Sequence, residues 1–149
     1  MGVTLSRAAI KGGAFYLDDV QTLFLKPIGH RVRNYIGIAG ANYGSTLCNL
    51  DFFKQNFDIC DNVIGFYPGD LNNSTNKVVG LSKFLKRLNC NPFREGTHTY
   101  AMFSIYDQTV IPYTPDGKYT SFFPTQDVGF VYNTSEYDHL GVRDLTTEF

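Results

Sequence analysis

The apolar run "NYIGIAG" at residues 34–40, taken with a second at "HTYAMFSIYD", residues 98–107, constrains this chain more than anything else in it. The first is compact, bounded by Arg33 and a glycine, and reads as a strand buried on both faces, the habit of a parallel sheet. The second reads as another strand and ends on an acid, Asp107. Between them lies the clearest helical pattern of the sequence, Lys77 to Asn89, with Val78, Leu81, Leu85 and Leu88 at three- and four-residue steps. A first helix at Val3 to Ile10, with Leu5, Ala8 and Ala9 sharing a face, stops at Lys11-Gly12-Gly13. Helix, strand, helix, strand is the order of an α/β sheet with right-handed crossovers.

The remaining segments are connections and short elements. A loop ends near Pro27, and "DNVIGFYPGDLNNST" reads as turn-rich and exposed. Loops around Pro112, Pro115-Asp116-Gly117 and Pro124 lead to a short strand at "VGFVY", and "YDHLGVRDLTTEF" runs from a loop into a helix. With no repeat, linker or low-complexity tract, residues 1–149 read as one domain.

Several function classes are set aside by what the chain lacks. A net charge of −1 gives no basic footprint for nucleic acid, and Lys83, Lys86 and Arg87 read as a solvated helix face. No apolar run approaches the ~20 residues of a membrane span. Dispersed His30, His98 and His139, with Cys48, Cys60 and Cys90, offer no metal-ligand spacing. "GIAGANYGS" lacks the spacing of a nucleotide-binding loop.

Other features point outside the cell. Asn72, Asn73 and Asn133 each open an acceptor sequon for N-glycosylation. Cys48 and Cys60 stand twelve apart across a polar loop and can close a disulfide, leaving Cys90 unpaired; three buried thiols are the alternative. The opening "MGVTLS" also fits N-myristoylation at Gly2, but no polybasic patch supplies the second signal that stable anchoring needs.

The chemistry gathers beyond the strand ends. Asp107 follows "HTYAMFSIY", and His139 follows it in the later loop "EYDHLG". Acid then histidine is the order in which an α/β-hydrolase triad completes itself after its serine. That serine stands at an elbow, followed by one residue, a glycine and a helix. Met1-Gly2 and the first helix fit what comes after it, so the expected nucleophile is the residue preceding Met1. Ser6 within a helix, Ser45 after "ANYG" and Ser104 within a strand lack the elbow context.

Seven segments now stand in a recognisable order: "MGVTLSRAAIKGG", "VRNYIGIAGANYG", "VIGFYPGD", "LSKFLKRLN", "YAMFSIYDQTV", "GKYTSFFPTQD" and "YDHLGVRDLT". Together they resemble the class 2 lipases, small α/β-hydrolases with secreted animal members. The resemblance implies the C-terminal part of an α/β-hydrolase fold, a parallel sheet flanked by helices whose central strands precede the elbow. Without those strands, apolar faces and an unpaired edge are expected. It also implies Asp107 as triad acid, His139 as triad base and the Met1 backbone N–H as an oxyanion donor. By the same resemblance, triacylglycerols or smaller carboxylic esters would be the substrates, with no cofactor. At Asp116 the chain departs from the secreted members, which usually carry a cysteine there. The other expectation is a non-catalytic interaction module on the same scaffold, a pseudoenzyme or a protein lipidated at Gly2.

Overall fold

The computed structural model describes residues 1–16 and 21–144, without the Tyr16 and Arg143 side chains. Helix α1, Gly2–Lys11, leads into a hairpin of β1, Gly13–Tyr16, and β2, Thr22–Leu25. Strand β3, Asn34–Ile38, is followed by the short helix α2, Asp51–Asn56, between two 3-10 turns. A second hairpin, β4 at Asp70–Asn72 and β5 at Lys77–Val79, precedes helix α3, Lys83–Cys90. Strands β6, His98–Ser104, and β7, Val128–Tyr132, and helix α4, His139–Asp144, complete the order. The main sheet runs β3-β6-β7 and is parallel throughout, with Tyr35 opposite Thr99 and Met102 opposite Phe130. This is the α/β class expected from the two apolar runs. The part of the terminal segment from residue 145 lies outside the described residues.

Only one face of the sheet is well covered. Tyr35, Thr99, Ala101 and Phe103 are buried on one side, while Ile36 and Phe130 on the other are about half exposed. Thus β3 is not buried on both faces, contrary to the reading of its sequence. Among the described residues it is also an edge, paired only with β6.

Helix α1 buries a polar face. Thr4, Arg7, Ala8 and Lys11 recur at helical steps and are all buried, whereas Leu5 and Ala9 are exposed. The expected apolar stripe gives way to an ion cluster. Arg7 Nε lies 2.8 Å from Glu95 Oε1 and Lys11 Nζ 3.4 Å from the same oxygen, with all three side chains at 0% exposure. Asn42 and Asn89 accept from Arg7 Nη1 at 3.1 Å, and the Thr125 hydroxyl donates to Glu95 Oε2. Arg7 Nη2 has no hydrogen-bond partner among the described residues, and the guanidinium carbon sits 4.4 Å from the centre of the Phe123 ring. Charges taken out of water must be paired, and this cluster ties α1 to α3, the turn before β6 and the loop before β7.

Helix α3 is shorter than the sequence suggests. The run from Val78 has helical spacing, but Gly80 takes φ 76° and Ser82 caps the start, its hydroxyl accepting from Leu85 N–H at 3.2 Å. Leu85 and Leu88 are fully buried, each contributing roughly 1.5–3 kcal/mol by removal from water. The segment read as exposed turns holds Gly65–Gly69 buried, with Phe66 and Tyr67 each 5% exposed. The loop ending near Pro27 contains the β1–β2 hairpin instead.

Glycines let α1 approach β3. A Cβ at Gly40 would stand 2.5 Å from Val3 Cγ1 and 2.9 Å from Asn42 Nδ2, and one at Gly37 3.0 Å from Val3 Cγ1. Val is stiff about χ1 and cannot swing aside cheaply. Gly40→Ala is therefore expected to displace the start of α1 and cost about 1–3 kcal/mol, measured by urea unfolding. An unchanged midpoint would contradict this packing.

Candidate active site

The end of β6 delivers Asp107. The Tyr106 N–H donates to Ser104 Oγ at 3.0 Å, turning the chain, and Asp107 Oδ1 accepts from the N–H groups of Thr109 and Val110 at 2.8 and 2.7 Å. These bonds immobilise the carboxylate as an Asx turn does. Its side chain is fully buried.

Helix α4 delivers His139. Asp138 caps it, Oδ1 accepting from Leu140 N–H at 3.0 Å and Gly141 N–H at 2.7 Å. Buried Val142 anchors the helix. His139 Nδ1 then meets Asp107 Oδ2 at 2.7 Å, the two standing 32 positions apart in sequence. The imidazole is one-third exposed. When Nδ1 donates to the carboxylate, Nε2 is the free acceptor, the tautomer a general base requires.

His139 opens on a cavity of about 280 Å³, which Met1 and Ser45 share with the rings of Phe53, Phe57 and Phe66. Three of the residues singled out in sequence are therefore brought together: Asp107 and His139 in direct contact, Met1 on the same cavity. Cys48 and Cys60 also line it and form a disulfide, with Cα atoms 5.1 Å apart. Cys90 is free and exposed. Asp116 pairs with Lys118 at 2.7 Å.

The sequons lie elsewhere. Asn73 and Asn133 are exposed, whereas Asn72 is half-buried and its Oδ1 accepts from the N–H groups of Ser74 and Thr75. Ser6 bonds to Tyr35 and the Val3 carbonyl, and Ser104 is buried in β6. Ser45 does reach the cavity, but no hydrogen bond joins it to His139 among the described residues. It precedes a 3-10 turn in an extended conformation, φ −119° and ψ 121°, not at a strand-to-helix elbow. The sequence reading missed Asp138 and the aromatic cavity wall. An acidic residue just before a helical segment was the available signal for the first; the wall assembles from positions far apart in sequence and left none.

No helix among the described residues is long and apolar enough to cross a membrane. Among known proteins, the family model described as lipase (class 2) matches residues 1–148. No curated protein and no solved structure matches. A match over nearly all 149 residues decides the family: the chain belongs to the class 2 lipases.

Proposed function

We propose that this chain carries the acid and base of a serine carboxylic ester hydrolase, Asp107 and His139, acting with a serine that immediately precedes Met1. The observation that carries the reading is the 2.7 Å bond between a buried carboxylate and a one-third-exposed imidazole at the mouth of an apolar cavity. His139 Nε2 takes the serine proton as the oxygen attacks the ester carbonyl. Asp107 holds the tautomer and stabilises the imidazolium, remaining ionised itself. The Met1 backbone N–H donates to the developing oxyanion. His139 returns its proton to the departing alcohol as the C–O bond breaks. Water, deprotonated by His139, then releases the acid and restores the serine. Lipids or smaller esters are the substrates. The disulfide, with exposed Asn73 and Asn133, fits an oxidising, glycosylating compartment and a secreted protein.

The test is hydrolysis of p-nitrophenyl butyrate by the protein purified from its native source, beside the His139→Ala form expressed in the same host. Turnover in the first and loss of at least about 10³-fold in the second is the expected outcome. Equal turnover in both would remove His139 from the reaction.

A further inference from the structure

The segment between Cys48 and Cys60 has no part in the proton transfers, yet it supplies much of the cavity's wall. Its ends are clamped. The disulfide joins them, the Ser45 N–H donates to the Phe66 carbonyl at 2.9 Å, and the Phe66 N–H donates to the Ile59 carbonyl at 2.6 Å. Between the clamps, α2 buries none of its residues, and no side chain caps its first turn. An aromatic cluster helps hold the helix: Phe53 stacks on Phe57 at 5.4 Å between ring centres, and Phe52 meets both edge-on. Leu47, Phe53, Phe57 and Ile59 turn apolar atoms to the cavity, which Phe66 and Val110 complete. Among the described residues, no Asp, Glu, Lys or Arg side chain lines it.

We infer that this disulfide-clamped segment forms an acyl-chain pocket of limited length, making the site selective for short to medium acyl esters. The inference rests on the ester-hydrolase reading, because a carbonyl held between the Met1 N–H and His139 sends its acyl chain into the cavity those two residues share. Size sets the limit. With a methylene taken at the ~30 Å³ a water occupies in the liquid, the 280 Å³ cavity holds a chain of about nine carbons. Further carbons would lie in solvent and add no burial. The clamp keeps the segment from swinging out to admit them. Leu47 and Phe53 are then specificity-determining residues: a larger side chain at 47 shortens the pocket and a smaller one at 53 extends it.

Binding of n-alkanols from butanol to dodecanol, followed by titration calorimetry on the full chain, tests this without any catalytic step. Affinity should rise about fourfold per methylene while the chain is being buried, and level off at about nine carbons. Leu47→Phe should bring the plateau to shorter alcohols and Phe53→Ala to longer ones; either variant, if folded by circular dichroism, decides. A climb that continues undiminished to dodecanol, no alcohol binding at all, or a plateau that neither folded variant moves would overturn the inference. The two readings fail separately. Length-limited binding in a protein that turns over no ester would sink the hydrolase and leave the pocket, whereas ester turnover with unlimited affinity growth would do the reverse.

Discussion

Asp107→Asn is expected to lower kcat for ester hydrolysis about 10⁴-fold with little change in KM. The substitution is nearly isosteric, and an asparagine Oδ1 can still accept from the Thr109 and Val110 N–H groups that hold the turn. What changes is the atom facing His139. In place of Oδ2, which accepts from Nδ1 at 2.7 Å, an amide NH₂ would donate to that nitrogen. The imidazole must then carry its proton on Nε2, where it cannot take one from a serine. The loss therefore falls on chemistry, not on binding, and the fold is kept because the backbone bonds to Oδ1 survive. Steady-state kinetics with a short-chain ester, together with a thermal melt, checks both halves. A variant with wild-type kcat would show that Asp107 is only a turn residue.

Glu95→Gln is expected to destabilise the fold by about 3–5 kcal/mol, read as a lowered urea midpoint. Burial lowers the pKa of both Arg7 and Lys11, and the Glu95 charge is the main influence that opposes it. Without that carboxylate, two cations remain fully buried, with hydroxyl and amide oxygens and the Phe123 ring but no anion as partners among the described residues. Removing Lys11 as well, in Glu95→Gln/Lys11→Met, should recover part of the loss, because one uncompensated charge costs less than two. The acid limb of stability carries the same signature. Burial works against the Glu95 carboxylate, but Arg7, the Thr125 hydroxyl and Lys11 outweigh it and hold its pKa below the ordinary 4.5. Its stabilisation is thus complete above about pH 4.5 and is lost as pH falls through the lower folded value. Glu95→Gln should show less of that acid-induced loss than the wild type. Equal midpoints at neutral pH would mean the cluster contributes nothing to holding α1.

What the sequence made legible was an acid and a histidine beyond the strand ends, which the fold brings into contact. Asp107 could be found because it closes an apolar run, and His139 because it follows in a polar loop before a helical segment, in the order a triad requires. Their contact across 32 residues is a tertiary fact that only chain order and family resemblance foreshadowed. Periodicity misled where a glycine intervened: Val78 and Leu81 fall in register with Leu85 and Leu88, yet the positive φ of Gly80 separates a strand from a helix. Ser82, a good N-cap, marked the true start. Helix α1 defeated the apolar-stripe rule because its buried face is made of Arg7 and Lys11, whose partner Glu95 lies over 80 residues away. Strand β3 reads as doubly buried, but Ile36 faces away from the covered side, where the described residues leave it exposed. Nothing local in an amphipathic or apolar segment states which neighbour it will meet.

The most direct measurement of the central claim is the site labelled by a fluorophosphonate in the protein purified from its native source, found by peptide mass mapping. One modified serine is expected, bonded directly to Met1, with no labelling once His139 is replaced by alanine. Label on Ser45 would contradict it by naming the cavity's own serine as nucleophile. A native protein that takes no label would leave Asp107 and His139 as a structural pair on a hydrolase scaffold.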